Sequence, residues 1–346
     1  MIFQQLFDDE TSTFTYLLAD PETRRAVLID PVLENTDAYG DLLARLDLTL
    51  VYTLETHVHA DHITAGAALR ERFGSQTVVH ERGGARSVDV EVADGDVLRV
   101  DALEIEVLYT PGHTAGDVSY RVGDRVFTGD TLFIGGCGRT DFQQGSAERL
   151  YDSVHGKLFT LPDTTLMYPG HDYNGRTVST IGWERAHNAR LGRNRSRESF
   201  AEIMGNLNLA HPKRIARAVP ANLSCGVVPS IDEALARSST EASGFRDLGP
   251  WGAAIHKTDL RVVDVREVPE FDGPLGHIDG AELVPLGTVS KAAAGWGRDE
   301  RLLVVCRSGG RSSRAAAQLT AMGFGKVYNL SGGMMDWNKA ALPVAR

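Results

Sequence analysis

The sequence predicts an α/β protein with two domains, and three observations lead to that prediction. The chain has 346 residues, which is more than one typical domain contains. Apolar strand-like runs such as Leu48–Leu54 alternate with polar turns and helical patterns in both halves of the chain. Between the halves, residues 238–244 are small and polar, as linkers are. We therefore place a first domain at residues 1–228, a linker at 229–247 and a second domain at 248–346.

Strand and helix patterns alternate along the first domain. Its predicted strands include Ile2–Phe7, Thr13–Leu18 and Ala26–Ile29, and its predicted helices include Thr36–Leu46, His62–Phe73 and Ser146–Phe159. Within the helix predicted from His62, the residues Ala65, Ala68 and Leu69 fall on one face, at the spacing of a half-buried helix. Residues 205–222 are expected to end the domain as loops.

The second domain has the pattern of a small, doubly wound parallel sheet. Leu260–Val265 reads as a strand, and Arg301–Val305 includes a continuous apolar run of the kind found in buried parallel strands. Arg311–Met322 follows as a helix with apolar residues on one face. In such sheets the ligand site lies beyond the carboxyl ends of the strands.

Composition excludes some partners and compartments. The net charge of −10 argues against nucleic acid or an anionic membrane as a main partner, because both require a basic surface. The three cysteines cannot all pair, which favours a reducing compartment. We find no signal peptide and no apolar run long enough to span a bilayer, so a cytoplasmic protein is expected. The oligomeric state stays open, a homo-oligomer included.

A dense group of metal-ligand residues follows the strand at Leu48–Leu54. His57, His59, Asp61 and His62 place three imidazoles and a carboxylate within six consecutive positions. Imidazole and carboxylate together suit transition metals such as Zn or Fe rather than Ca or Mg.

Three more candidate ligands come later in the chain. His113, Asp130 and His171 each follow a strand-like run and lie beside Gly or Pro. Loops at strand ends present side chains from a rigid sheet, so these residues and the first group are predicted to form one metal site.

The second domain contains a candidate nucleophile where its apolar strand meets the following helix. The segment is Cys306-Arg307-Ser308-Gly309-Gly310-Arg311-Ser312. Backbone N–H groups, the helix N-terminus and two arginines all favour thiolate over thiol here. Four residues separate Cys306 from Arg311. Cysteine-dependent phosphatases use a loop one residue longer, so this loop encloses a smaller space, suited to sulfur bound to sulfur.

The metal motif resembles that of the metallo-β-lactamase superfamily, which implies an αββα sandwich with the metal at one edge of two sheets. Three flanking segments are similar to persulfide dioxygenases of the ethylmalonic-encephalopathy type, and the resemblance covers roughly residues 1–228. These segments are Gly135–Gly145, Met204–Leu209 and Val219–Asn222.

The cysteine loop is similar to the active loop of rhodanese sulfurtransferases, and the resemblance covers roughly residues 248–346. Further rhodanese-like segments are Val263–Glu267, Gly276–Ala281 and Gly332–Trp337. The fusion of both domains is similar to bacterial persulfide dioxygenase–rhodanese proteins.

The first resemblance implies one Fe(II) per chain, held by His57, His113 and Asp130. The implied reaction converts glutathione persulfide, O2 and water to sulfite and glutathione. His59, Asp61, His62 and His171 then orient the ligands, although in dinuclear relatives the same positions bind a second metal. Arg139 and Tyr173 are the expected contacts for glutathione persulfide.

The second resemblance implies that Cys306 takes sulfur from a donor such as thiosulfate and passes it to glutathione. The loop residues Arg307, Ser308, Gly309, Gly310 and Arg311 are expected to hold the anionic donor.

Two alternatives stay open at this point. One is a glyoxalase II-like thioester hydrolase with a dinuclear centre bridged by Asp130, fused to a rhodanese. The other is a non-catalytic sulfur sensor or carrier with a structural metal.

Overall fold

The computed structural model describes residues 1–141, 143–207, 214–227, 241, 243–340 and 342–345. The chain divides into two compact units, residues 1–212 with 221–227 and residues 213–220 with 228–346. Most of the linker predicted at 229–247 lies outside the described residues. Among the described helices, none has the length and apolar character needed to cross a membrane.

Two six-stranded sheets form the first unit, with strand orders β1-β2-β3-β4-β5-β6 and β12-β11-β10-β9-β8-β7. The strands are β1 (Ile2–Asp8), β2 (Thr13–Ala19), β3 (Arg25–Ile29), β4 (Thr49–Leu54), β5 (Gln76–His80), β6 (Val90–Val92), β7 (Val97–Val100), β8 (Leu103–Tyr109), β9 (Val118–Val122), β10 (Arg125–Gly129), β11 (Leu166–Pro169) and β12 (Ser179–Thr180).

Helices cover the outer faces of the two sheets. They are α1 (Thr36–Arg45), α2 (Gly66–Phe73), α3 (Ala147–Gly156), α4 (Ile181–His187) and α5 (Arg197–Gly205). The next helix, α6 (Ile215–Asn222), belongs to the second unit up to Pro220 and to the first unit from Ala221. Strand β2 shows why both sheet faces are apolar, since alternate residues of a strand point to opposite sides. Tyr16 and Leu18 pack between the sheets, whereas Leu17 packs against α1 and α2. The predicted αββα sandwich is confirmed.

Two local predictions for the first domain, residues 1–228, were wrong. The helix expected from His62 begins at Gly66, because Thr64 and Ala65 donate their backbone N–H groups to the Asn222 side chain and the Pro31 carbonyl instead of closing a helical turn. The loops expected at 205–222 include the helix α6, and residues 208–213 lie outside the described part. Within α6, apolar side chains at i, i+3 and i+4 are buried, which is a helical pattern.

The second unit is built on a five-stranded parallel sheet of order β13-β17-β16-β14-β15. Its strands are β13 (Arg246–Leu248), β14 (Arg261–Asp264), β15 (Glu282–Leu283), β16 (Leu302–Val305) and β17 (Val327–Leu330). Its described helices are α7 (Pro250–Ile255), α8 (Val268–Phe271), α9 (Val289–Ala292), α10 (Gly310–Ala321) and α11 (Gly333–Lys339).

Apolar clusters lie on both faces of this parallel sheet. Leu303 packs with Met334 and Trp337 on one face, and Val304 packs with Leu319 on the other. The predicted doubly wound parallel sheet is confirmed. Its first described strand begins at Arg246, inside the stretch that was expected to be linker.

Candidate functional site

His57, His113 and Asp130 meet at one edge of the sandwich. They follow β4, β8 and β10, whose carboxyl ends open towards the same edge. One possible ligand atom from each residue lies within 4.8 Å of the others, and all three residues are buried. The structure therefore brings together the three side chains expected to hold the metal.

Each of these side chains makes a hydrogen-bonding contact through one atom and leaves another atom available to a metal ion. His113 donates its Nδ1–H to the carbonyl oxygen of Arg139 at 2.7 Å, which leaves Nε2 facing Asp130 Oδ2 at 3.5 Å. The Nδ1 of His57 lies 3.0 Å from Thr56 Oγ1. Asp130 Oδ1 accepts a 2.7 Å hydrogen bond from His171 Nδ1. Two imidazole nitrogens and one carboxylate oxygen thus remain available for an ion.

This donor set fits a transition-metal ion. Two ligands about 2.1 Å from one ion lie about 3.0–3.4 Å apart, close to the observed His113–Asp130 separation. Burial and the neighbouring His59 hold the pKa of His57 well below its usual value, so its ring is neutral. Burial opposes ionisation of Asp130, but His171 and the other histidines outweigh it and lower the pKa of this carboxyl. Neutral imidazole and ionised carboxylate are the ligating forms.

Asp61 is a meeting point for three hydrogen-bonding groups. Its Oδ2 lies 2.8 Å from His62 Nδ1, 3.0 Å from His171 Nε2 and 3.1 Å from Thr13 Oγ1. Because His171 also binds Asp130, its ring links the two carboxylates. Burial lowers the pKa of His171, but Asp130 and Asp61 outweigh burial and raise it well above the usual value.

His59 lies between two buried carboxylates that the sequence analysis did not identify. Its Nε2 is 3.1 Å from Asp30 Oδ1 and 3.4 Å from Glu55 Oε2. Asp30 also accepts hydrogen bonds from the backbone N–H and the hydroxyl of Thr56, the residue before His57. Asp30 could have been identified from its position directly after β3, at the same sheet edge as the metal motif.

Two ring nitrogens in this region have no hydrogen-bond partner among the described residues. They are Nδ1 of His59 and Nε2 of His62, and both are buried. Ligand atoms of His59, Asp61 and His62 lie within 4.8 Å of one another. This second group has the composition of a further metal site.

The two residues expected to bind glutathione persulfide have different surroundings. Arg139 makes a bidentate ion pair with Asp141 in its own loop, with both N–O distances at 2.6 Å. Tyr173 is 70% exposed, and its ring stacks on His171 with 6.1 Å between centroids. Asp172 accepts hydrogen bonds from the backbone N–H and the guanidinium of Arg176, which fixes the loop around Tyr173.

Cys306 follows β16 in the second unit, at the carboxyl edge of the parallel sheet. Its Sγ accepts hydrogen bonds from the Gly309 N–H at 3.2 Å and the Ser312 hydroxyl at 3.3 Å. Burial raises the pKa of a thiol, but hydrogen bonds from Ser312, Ser308 and Gly309 outweigh it, so the pKa of Cys306 is lowered. The φ of +93° at Gly309 is a left-handed conformation that favours glycine.

The two loop arginines also differ from each other. Arg307 is exposed, whereas Arg311 makes a bidentate ion pair with Glu270. Sequence analysis did not identify Glu270, because it lies 41 residues before Arg311 and reaches the loop only through the fold.

Comparison with known proteins assigns both units. Residues 8–171 match the metallo-beta-lactamase superfamily, and residues 252–340 match the rhodanese-like domain family. Mitochondrial persulfide dioxygenase ETHE1 of Homo sapiens is 50% identical over 230 residues, which cover 66% of this chain and 89% of that protein. The chain belongs to the ETHE1-type persulfide dioxygenase family. It is an oxidoreductase of this family that carries a rhodanese-like sulfurtransferase domain.

Two further proteins are similar to this ETHE1-type chain. The crystal structure of ETHE1 from Myxococcus xanthus is 58% identical with a TM-score of 0.64, covering 66% of this chain and 100% of that one. Hydroxyacylglutathione hydrolase of Bradyrhizobium sp. (strain ORS 278) is 38% identical over 183 residues, covering 50% of this chain and 68% of that protein.

Proposed function

We propose that the protein oxidises glutathione persulfide at the His57–His113–Asp130 site and transfers sulfane sulfur at Cys306. The first reaction is glutathione persulfide plus O2 and water, giving glutathione, sulfite and two protons. The observation that carries it is the convergence of two imidazoles and one carboxylate at a sheet edge beside the exposed Tyr173. This ligand set leaves coordination positions open, as in non-haem iron oxygenases.

One Fe(II) per chain is the proposed cofactor. Held by these three residues, Fe(II) would supply the redox activity that oxidation of a persulfide by O2 requires. The protein holds the ligands: Arg139 fixes the tautomer of His113 through its carbonyl, and His171 holds Asp130. Such outer contacts orient ligand rings and tune their basicity.

In this proposal, the three metal ligands are supported by His59, Asp61, His62 and His171. Asp61 Oδ2 accepts hydrogen bonds from His62, His171 and Thr13, so this oxygen is held in place by contacts within the protein. His59 is held by Asp30 and Glu55 in the same way.

Tyr173 is proposed as the principal contact for glutathione persulfide. Its exposed ring stands over His171 and offers an apolar face and a hydroxyl to the substrate. Arg139 is proposed as a second contact, through a guanidinium that also pairs with Asp141. Replacing Tyr173 by Ala should raise the KM for glutathione persulfide more than it lowers kcat, and replacing it by Phe should preserve most of the affinity.

At the second site, the Cys306 thiolate attacks the outer sulfur of thiosulfate. The S–S bond of thiosulfate breaks, sulfite leaves with the electron pair, and a cysteine persulfide forms. A glutathione thiolate then attacks the terminal sulfur of that persulfide, which gives glutathione persulfide and returns the Cys306 thiolate. Arg307, Arg311 and the backbone of Ser308, Gly309 and Gly310 surround the anionic donor.

The test is metal analysis of purified protein combined with O2 uptake and sulfite release on addition of glutathione persulfide. One iron per chain and equal amounts of O2 consumed and sulfite released support the proposal. Absence of O2 uptake by protein loaded with iron contradicts it.

A glutathione thioester hydrolase is the second candidate function. His59 and His62 each have one buried ring nitrogen without a hydrogen-bond partner among the described residues, which suits a second ion. The hydrolase from Bradyrhizobium is a relative over half of the chain. Two bound metal ions and hydrolysis of glutathione thioesters without O2 uptake would favour this function.

A further inference from the structure

Arg311 ends the cysteine loop, and its guanidinium is already paired with the carboxylate of Glu270. Its Nη1 and Nη2 lie 2.6 Å from Oε2 and Oε1 of Glu270, respectively. The side chains of Arg311 and Glu270 are 29% and 34% exposed, so the pair is partly shielded from solvent. Because Arg311 lies in the first turn of α10, Glu270 places a negative charge beside the arginine that ends the cysteine loop.

Glu270 is held in this position by the core of the second unit. Its carbonyl oxygen accepts a 3.0 Å hydrogen bond from Nη1 of Arg266. Arg266 is fully buried and makes an ion pair with Asp264, at the end of β14. The Glu270 carboxylate also accepts the backbone N–H of Glu267 at 3.4 Å, which closes the first turn of α8. These contacts fix both ends of Glu270.

We propose that Glu270 sets the donor selectivity of the Cys306 site by neutralising Arg311, which disfavours small dianionic sulfur donors relative to organic persulfides. This inference rests on the proposed sulfur transfer at Cys306. A small dianion such as thiosulfate concentrates two charges near the loop and depends strongly on its net positive charge. Glutathione persulfide carries one charge at its terminal sulfur and spreads the others over a tripeptide, so it depends less on that charge.

The neutralisation persists across the working pH range. The hydrogen bonds from Arg311 lower the pKa of Glu270 to about 2, so this carboxylate stays ionised near neutrality. Arg307, which is exposed on the loop, still attracts anions in general. Glu270 therefore reduces the positive charge of the loop without abolishing it.

The experiment measures how fast each donor persulfidates Cys306, in the full chain, under argon, with mass spectrometry as the readout. Glu270→Gln keeps the shape of the side chain and removes its charge. We expect the rate constant for thiosulfate to rise about tenfold at low salt. The gain should shrink as salt is added, because partly exposed charges are screened. The rate with glutathione persulfide should change little.

Asp272→Asn is the matched control. Asp272 is an exposed acid two residues from Glu270, and its substitution removes the same charge without touching the Arg311 pair. Its rates should equal those of the parent. An unchanged or slower reaction of Glu270→Gln with thiosulfate, or equal changes with both donors, overturns the proposal.

A double-variant comparison separates charge neutralisation from a purely structural role. Arg311→Gln leaves the Glu270 carboxylate uncompensated and should slow the reaction with thiosulfate, whereas adding Glu270→Gln to Arg311→Gln should restore part of the lost rate. A double variant as slow as Arg311→Gln alone contradicts the proposal. A parent protein that neither donor persulfidates instead contradicts sulfur transfer itself.

Discussion

His113 donates its Nδ1–H to the carbonyl oxygen of Arg139 at 2.7 Å. The bond selects the tautomer in which Nε2 is available to a metal ion, and it ties the loop after Asp130 to a proposed ligand that follows a different strand. Within that loop, Gly138 approaches so closely that an added Cβ would lie 2.4 Å from the carbonyl oxygen of Asp130 and 3.0 Å from His113 Nδ1. The loop that follows Asp130 is thus part of the proposed metal site.

Gly138→Ala should therefore displace either the loop or the His113 ring. We expect the variant to lose iron more readily and to consume O2 more slowly, because a distance of 2.4 Å to a backbone atom cannot be kept. Gly136→Ala is the control, since within the described part of the chain no heavy atom outside its chain neighbours lies within 4 Å of a Cβ added there. Iron retention against a chelator and O2 uptake are the measurements, and equal behaviour of the two variants would argue against a role for this close approach.

Separate active centres predict separable losses of activity. His113→Ala should abolish O2 consumption with glutathione persulfide, because it removes a proposed ligand, and should leave sulfur transfer intact. Cys306→Ser should end sulfur transfer and leave oxidation of added glutathione persulfide intact. Oxygen-electrode and sulfur-transfer assays on both variants test this, with His187→Ala as an exposed-histidine control. Loss of both activities in either variant would contradict two independent centres.

The lowered pKa of Cys306 predicts selective alkylation. Near pH 7, iodoacetamide should modify Cys306 first, because burial raises the pKa of Cys137 and Cys225 to about 11. The thiolate is the reacting form, so the rate should fall as the pH drops through the pKa of Cys306.

Ser312→Ala tests the cause of that low pKa. It removes the hydroxyl that donates to Cys306 Sγ, so the pKa should rise. Alkylation near pH 7 should then slow by about tenfold while the rate at high pH stays the same. A pH profile identical to that of the parent would show that the backbone N–H groups alone stabilise the thiolate.

The buried Arg266–Asp264 pair should dominate the stability of the second unit. Asp264→Asn leaves a fully buried guanidinium without its counter-charge, which should lower the free energy of unfolding by about 3–5 kcal/mol. Urea unfolding followed by tryptophan fluorescence reports on this unit, which contains three of the four tryptophans of the chain. Asp279→Asn, at the exposed Lys257–Asp279 pair, should leave the transition unchanged, and a similar loss in both variants would contradict the importance of burial.

Residue order along the chain was enough to predict the sheets and to identify the candidate ligands. Alternating or continuous apolar runs indicate strands whatever surrounds them, and His57, His113 and Asp130 each stand just after such a run. The helix expected from His62 failed for a tertiary reason, because the backbone of Thr64 and Ala65 binds Asn222 and Pro31.

By itself, the sequence determined which kinds of side chain are present at the strand ends and in the cysteine loop, because those depend on local pattern and residue type. Only the tertiary structure decided their partners: Asp30 for His59, the Arg139 carbonyl for His113, and Glu270 for Arg311. These three contacts join residues that are 29, 26 and 41 positions apart, respectively. A hydrogen bond depends on atomic positions to within a few tenths of an ångström, and those positions are set by how strands and helices pack.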